Sequence, residues 1–372
     1  MEIRFTEEEE AFREEARALI GRYADANGFF PQADHAPQEA LYRELAARNW
    51  LALSWPREYG GEGLPSTYEF ILWDEMGYAR AGRPTLAAGI IAKTIMRFAE
   101  DAQKAEWLEP IRKNELTFCL GYSEPEAGSD LAGLRTRAEL DGDAYVVNGE
   151  KIWTSNAEES DYIWLLCRTG APDSRGRGLS LLIVDRNSPG VVLRNGRHMD
   201  GHHYSQVFYD NVRVPVERRI GPEDGAWRMM SAALADERHV QFTGKRVRRD
   251  FDEAVAWLAS QGLDSDPAVR ARLLGLKVRV AEAEALCLQV LSDMRNGRDA
   301  AVSAAASKVV HTDVIQAIAR FVMDVGGMAA VLAERPDGPE GAWRQTMTES
   351  VGGGTSEVMK SIIARQELGL AS

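Results

Sequence analysis

The sequence predicts an α+β chain of several domains, with helices first, a β domain in the middle and long helices at the end. Three observations carry this prediction. Apolar residues recur at helical spacing up to about residue 115, short strands with tight-turn dipeptides follow from 116 to about 222, and the helical period returns after "GPEDG". Segregated runs of this kind point to separate α and β units rather than to alternating βαβ. The chain has 372 residues, more than one ordinary core accommodates, and 45% hydrophobic residues, enough to bury a large interior. The expected division is an α-helical domain over 1–115, a β domain over 116–222 and a helical bundle over 223–372.

The first helix starts at a T-x-x-E capping box, Thr6 and Glu9, in which side chain and backbone satisfy each other's end groups. Phe12, Ala16, Leu19 and Ile20 then fall on one face. "PQEALYRELAARNWLAL" is a second amphipathic stretch, closed by the Pro- and Gly-dense "SWPREYGGEGLP". "STYEFILWDEMGYA" and "PTLAAGIIAKTIMRFA" continue the helical texture. In the β domain, Asp141-Gly142 and Asn148-Gly149 each read as a hairpin turn, because both dipeptides accept positive φ. Strands are expected at "DYIWLLCR", "GLSLLIVD", "GVVLR" and "SQVFYDNVRVP". Four helices are expected beyond, over 225–259, 266–295, 300–324 and 356–368. The basic run "GKRVRR" at 244–249 reads as a solvated helix face.

Lys plus Arg number 44 and Asp plus Glu 57, a formal net charge of -13. An acidic surface argues against nucleic acid or an anionic membrane as the main partner. Cys119, Cys167 and Cys287 match no zinc or redox spacing and read as buried free thiols. The acidic start "MEIRFTEEEEAF" has no apolar signal core, and no apolar run approaches the roughly 20 residues of a membrane span. A cytoplasmic protein is expected. The six histidines show no HxxxH or HExxH spacing, so no metal site is expected.

Two loops carry the chemistry. "GYSEPEAGSDLAG", 121–133, brings Ser123, Gly128 and Ser129 into one segment of hydroxyls and open backbone, which suits a cofactor rich in acceptors or, equally, a simple linker. "VGGGTSEV", 351–358, runs three glycines into Thr355, Ser356 and Glu357. Glycine allows close approach of a ligand to the main chain, and a Thr-Ser pair caps the helix that follows. On residue type alone, Trp153 reads as core.

Wording and order resolve these alternatives. "GYSEPEAGSDLAG", "NGEKIWTSNAEESDYI" (148–163), "HMDGHHYSQVFYDNVRVPVERRIG" (198–221) and "GGGTSEVMKSIIAR" resemble, in order and over essentially the whole chain, segments of the acyl-CoA dehydrogenase family. The resemblance implies a β-barrel-like central domain, a C-terminal four-helix bundle and FAD as cofactor. It places Leu120 to Ser129 along the flavin, with Tyr122 and Ser123 at the polar ring edge. Gly128 and Ser129 would lie near the cofactor, Ser129 also near the diphosphate and the thioester ligand. Trp153 would cover one ring face, with Thr154 beside it and Ser155 near the reactive nitrogen. Thr355, Ser356 and Glu357 would line the cofactor, and Gly353 would offer its N–H to the thioester oxygen.

The reaction implied is α,β-dehydrogenation of an acyl thioester, and it needs a carboxylate base with a raised pKa. In much of the family a glutamate precedes a Gly-Thr pair; here that position is Gly353, and Gly352 replaces the aromatic residue before it. The chain is therefore inactive or takes its base elsewhere. In branches resembling isovaleryl-CoA dehydrogenase the base lies on an earlier helix, followed by arginine, which matches Glu237-Arg238 in "SAALADERHVQ". Trp227, Met230 and Leu234 step by three and four toward Glu237, placing it on an apolar stripe where an acid is costly unless paired or functional. Arg238 would then help fix the substrate. Glu124, Glu126 and Asp130 read as structural.

Two departures concern the adenine end of FAD. The family's Arg-x-x-Phe-Gly segment is "SQGLDSDPAV" here, with Gln261 and Asp264, and its Gln-x-x-Gly-Gly segment is "MDVGGMA", with Met323. "GYSEPEAGSD" also resembles branches acting on steroid side chains, in which two different chains pair. The partners implied are acyl-CoA or another acyl thioester, an electron-transfer flavoprotein, and further chains in a homo-oligomer or in a heterotetramer with a related chain. A partner subunit without activity of its own, an oxidase or monooxygenase, and a dehydrogenase for carrier-protein thioesters stay as alternatives.

Overall fold

A computed structural model of the chain describes residues 4–23, 25–26, 28, 34–230, 240–333 and 338–370. The chain forms two compact units. One comprises Met1–Glu44, Gly63–Pro84 and Arg238–Ser372, and the other Leu45–Glu62 and Thr85–Glu237.

The first unit is helical. α1 (Glu7–Gly21) begins at the expected capping box, with Thr6 and Glu9 exchanging both bonds, and it buries Ala16, Leu19 and Ile20. After α2 (Ala36–Ala47), α3 (Ser66–Tyr78) is buried along almost its whole circumference, because other helices surround it. Two of its three acids face the neighbours: Glu75 accepts from Arg13 at 3.3 Å and pairs with Lys245, and Asp74 accepts from the Lys245 N–H at 3.0 Å. α6 (Gly244–Ser260), α7 (Pro267–Arg295) and α8 (Ala301–Val331) share a core that includes Val247, Phe251, Leu258, Val280, Val314, Ile318 and Phe321.

Four readings change here. The run 244–249 is not a solvated face: Arg246 is buried against Glu349, while Lys245, Arg248 and Arg249 pair with Glu75, Glu284 and Glu253. The helix expected over 225–259 is interrupted at Phe242 and Thr243, after which α6 begins. α9 (Pro339–Glu349) joins the expected helices, started by a proline whose missing N–H costs nothing in a first turn. Finally, α8 has the length and apolarity of a membrane span. Its Val314, Ile315, Ile318, Phe321 and Val322 pack into the core shared with α6 and α7, and other faces of the helix meet α9 and the last helix, which is why it is apolar on more than one side. α10 (Ser356–Gln366) ends the helical set.

The second unit is built on one sheet. β1 is Phe118–Gly121, β2 Arg137–Asp141, β3 Ala144–Ser155, β4 Tyr162–Arg168, β5 Leu179–Asp185, β6 Val191–Arg197, β7 His203–Pro215 and β8 Arg219–Ile220. They run in the order β6-β7-β3-β2-β4-β5-β8, with β1 beside β4. Most pairs are antiparallel, as the hairpin signals predict, but the sheet is mixed, since β1 pairs parallel with β4. Asp141-Gly142 does form the β2–β3 turn, Gly142 having φ 66. Asn148-Gly149 does not turn. It lies inside β3 at a bulge where Gly149, φ 143, passes so close to Thr136 that a Cβ would sit 2.7 Å from its Cα. Pairing with β7 continues through it, and β2 pairs as far as Asn148, so tertiary register overrides a local turn preference.

α4 (Ala92–Phe98) follows a π-helical turn at Ala87–Ile91, and α5 (Asp101–Arg112) closes over the sheet. Gln103 Nε2 donates to Glu217 O and Arg219 O at 2.6 and 2.8 Å, and the Trp107 ring meets Tyr162 edge-on at 5.0 Å. All three thiols are free and buried, as expected, and burial pushes Cys119 up to about 11 and Cys167 and Cys287 up to about 12.

Candidate functional site

In the β unit, the segment after β1 is tied down from behind. Gly121 has no room for a side chain, since a Cβ would lie 2.9 Å from Ile163 Cγ2. Lys151, 0% exposed, donates from Nζ to Tyr122 O at 2.9 Å and to Glu124 Oε1 at 2.8 Å. Glu124 also accepts from the N–H groups of Arg135 and Thr136, and Ser123 O accepts from Ile152 N at 2.8 Å. Burial would raise the Glu124 carboxyl, but the Lys151 ammonium and these donors outweigh it and hold the group below the usual range. Glu124 is thus structural, as expected, and Asp130 pairs with Arg175. Leu120, Tyr122 and Ser123 are half-buried, while Gly128 and Ser129 are exposed.

Trp153 stands on β3 at a second bulge, where two residues of β3 oppose one of β7 between the pairs Lys151–Val207 and Thr154–Ser205. Its backbone is left-handed, φ 60, an uncommon state for a bulky residue and one that surrounding structure must impose. The indole is 53% exposed, so it is not core. Tyr204 lies 4.5 Å from it and His198 stacks at 5.4 Å with planes 22° apart. Burial lowers the His198 pKa, against the opposing pull of Asp200, which favours the neutral form of that stacked ring. Thr154 Oγ1 is buried and has no hydrogen-bond partner among the described residues, and Ser155 is exposed. An exposed indole, an unanswered buried hydroxyl and an exposed serine fit a flat, acceptor-rich ring system.

The same unit has a recess of about 580 Å³ lined by Ala132, Ser174, Arg175, Arg177, Trp227 and Arg228. Arg168 shapes its loop by donating to Ala132 O, Ser174 Oγ and Arg175 O. Trp227 is exposed here while Met230 is buried, so the stripe read toward Glu237 is not uniformly interior. Glu237 and Arg238 themselves lie outside the described residues.

In the helical unit, the glycine loop links α9 to α10. Gly353 and Gly354 have φ 68 and 97, and Thr355 Oγ1 caps α10 by accepting from Val358 N at 3.2 Å. Gly353 N makes no hydrogen bond among the described residues, whereas Gly352 N donates to Thr348 O at 2.9 Å. Ser356 is half-buried and Glu357 exposed.

Beneath the loop lies a buried ionic cluster that sequence reasoning missed. Glu349 accepts from Arg246 at 2.7 Å and from Arg83 at 2.6 Å, and these cations hold its carboxyl far below the range that burial alone would set. His311 is 0% exposed, meets Phe242 edge-on at 5.4 Å, and has no hydrogen-bond partner for either nitrogen among the described residues. Burial first, then Arg246, lowers its pKa to about 3. The available signal was Lys308 and His311 set, with Asp313, among the small and apolar residues of "AAVSAAASKVVHTDVI".

The comparisons with known proteins agree with this architecture. Sequence models for the acyl-CoA dehydrogenase N-terminal domain, middle domain and C-terminal domain match residues 6–115, 119–212 and 224–368. The chain belongs to the acyl-CoA dehydrogenase family and is an oxidoreductase acting on acyl-CoA. It is similar to "Acyl-CoA dehydrogenase FadE26" of Mycobacterium tuberculosis, 34% identical over 100% of this chain and 99% of that protein. "Acyl-CoA dehydrogenase FadE29" of the same organism is also 34% identical, over 90% and 89%. Among solved structures, "Tcur3481-Tcur3483 steroid ACAD" superposes with TM-score 0.90 at 29% identity, covering 100% of both chains. The "ChsE4-ChsE5 complex from Mycobacterium tuberculosis" gives 0.87 at 34%, again with both chains fully covered.

Proposed function

We propose that this chain catalyses FAD-dependent α,β-dehydrogenation of an acyl-CoA with a bulky, steroid-like acyl group, using Glu237 as the base. The observation that carries the reading is Trp153: an exposed indole, held at an unusual backbone angle, beside the Thr154 hydroxyl, which has no hydrogen-bond partner among the described residues. Trp153 would offer a flat face to the cofactor. Leu120, Tyr122, Ser123, Gly128, Ser129, Thr154 and Ser155 would supply donors and close backbone, and Thr355, Ser356 and Glu357 would add to them. When bound, FAD supplies the acceptor for the β hydrogen and its electron pair.

The protein's own part is to take the α proton and to stabilise the charge this leaves. Glu237 receives that proton. The charge spreads to the thioester oxygen, where the Gly353 N–H donates; a donor aimed at developing charge contributes several kcal/mol, about 3 in comparable sites. Arg238 and Ser129 would steady the thioester. The recess at Arg175, Arg177, Trp227 and Arg228 offers cations and an aromatic face to the nucleotide end of CoA. Glycines at 352 and 353 leave space beside the reacting carbons.

A related partner chain is part of the proposal. The substitutions at Gln261, Asp264 and Met323 support it, and two of the similar solved structures are named as pairs of chains. An electron-transfer flavoprotein would reoxidise the flavin. The free buried thiols suit a cytoplasmic location.

The test is anaerobic bleaching of the flavin of the loaded protein by straight, branched and steroid-like acyl-CoAs. Wild type should bleach with the bulky members, and Glu237→Gln should retain flavin but fail to bleach. Undiminished bleaching by Glu237→Gln would sink the assignment of the base. FAD content and mass of the chain alone and with a related chain test the partnership, and a homo-oligomer with full FAD would refute it.

A further inference from the structure

The loop Gly352–Gly354 has little of its own to hold its shape. Three glycines in a row give the backbone its greatest freedom, and two of them occupy left-handed angles. The shape is imposed from α8. Lys308 is 0% exposed, and its Nζ donates to Glu349 O at 2.9 Å and to Gly354 O at 2.7 Å. One carbonyl stands just before the loop and the other ends its glycine run, so a single ammonium joins the two sides. Thr312, four residues along α8, donates its hydroxyl to the same Glu349 carbonyl at 3.4 Å. The Glu349 side chain is meanwhile held by Arg246 and Arg83. Residue 349 is thereby anchored through both carboxylate and carbonyl.

A buried ammonium is costly unless acceptors surround it, and charge-assisted bonds to carbonyls are about twice as strong as neutral ones. Lys308 also lies 5.8 Å from the centre of the Phe242 ring, the ring that Gly353 approaches, where a Cβ would meet Phe242 Cζ at 3.5 Å. Lysine, Phe242 and loop thus form one contiguous packed unit, with the Gly353 N–H, which makes no hydrogen bond among the described residues, on its exposed segment.

We propose that Lys308 is a positioning residue for the dehydrogenation: it closes the glycine loop and thereby aims the Gly353 N–H. This rests on the reading that Gly353 donates to the thioester oxygen. Lys308 acts through the loop and touches neither substrate nor cofactor.

The test uses the flavin-loaded protein with its partner chain if one is required. In Lys308→Met, amide exchange over 350–355 should quicken about tenfold or more while the rest of α9 and α10 keeps its protection. Turnover and deuterium wash-in at Cα of the substrate should fall about tenfold, with KM changed by less than about threefold. Thr312→Val removes only the weaker bond and should shift exchange and turnover in the same direction, less. Unchanged loop exchange in folded Lys308→Met overturns the proposal. Faster exchange with unchanged turnover and wash-in leaves the closure standing and overturns the role of Gly353. If Lys308→Met does not fold, Thr312→Val decides, and unchanged exchange there overturns the proposal.

Discussion

His311 provides a sharp test of the buried cluster under the glycine loop, through replacement by leucine, a side chain of similar volume that cannot titrate. In the folded chain His311 stays neutral, with a pKa lowered from 6.5 to about 3, first by burial and then by Arg246, with Arg83 and Lys308 adding to the effect and Glu349 opposing it. In the unfolded chain it titrates normally, so between those two values the unfolded state binds more protons. The stability it protects is fully present above about pH 6.5 and is lost as pH falls toward about 3. One pKa unit corresponds to about 1.4 kcal/mol, so the loss between about pH 7.5 and pH 5 is about 2 kcal/mol. Asp74 pulls the other way, its folded pKa raised to about 6 by burial, so the wild-type curve alone does not isolate the histidine. The diagnostic quantity is the difference between wild type and His311→Leu in denaturant unfolding, measured at several pH values. The variant should gain about 2 kcal/mol relative to wild type on acidification to about pH 5. A difference that does not vary with pH would refute the burial and charge argument for this cluster.

Further outcomes follow from the same contacts. Asp74→Asn should flatten the opposite limb: the native carboxyl binds its proton more tightly than the unfolded one, so its destabilisation grows as pH rises from about 4 to 6, reaching about 3 kcal/mol, and unfolding at about pH 8 reads the gain. Lys151→Met strands the Glu124 carboxylate in the interior and should cost about 3–5 kcal/mol, seen as a lower denaturation midpoint. Trp153→Ala should leave the fold intact, because the indole is exposed, while FAD retention on gel filtration falls; unchanged retention and flavin spectrum would remove Trp153 from the site. Gly353→Glu meets space but a left-handed backbone costing about 1–2 kcal/mol, so rescue of Glu237→Gln by it would show that both positions reach one carbon.

The order helix, sheet, helix was legible in the sequence because periods of 3.6 and 2 are local, and so was the capping box at Thr6, where both partners lie within one turn. Wording alone was enough to bring the segments 121–133 and 351–358 to notice. What failed was whatever a distant neighbour decides. Asn148-Gly149 has the chemistry of a turn, yet β2 and β7 flank it on both sides and hold it as a bulge within β3. Arg246 sits in a run of six residues with four basic ones, yet Glu349, more than a hundred residues later, draws it inside. Trp153 reads as core by hydrophobicity, and only a left-handed backbone at a bulge turns it outward.

The glycine loop divides the two kinds of information clearly. The sequence by itself determined that no carboxylate stands at Gly353 and that its main chain is unusually free, since both follow from residue identity. Only the tertiary structure decided that this freedom is restrained, because the restraint is Lys308 of α8, an ammonium some forty residues upstream that donates to two backbone carbonyls of the loop's flanks. A lysine among small and apolar residues hints at a buried ammonium, but a bond to a carbonyl leaves no trace in side-chain pattern, so the order of residues does not say which backbone it holds.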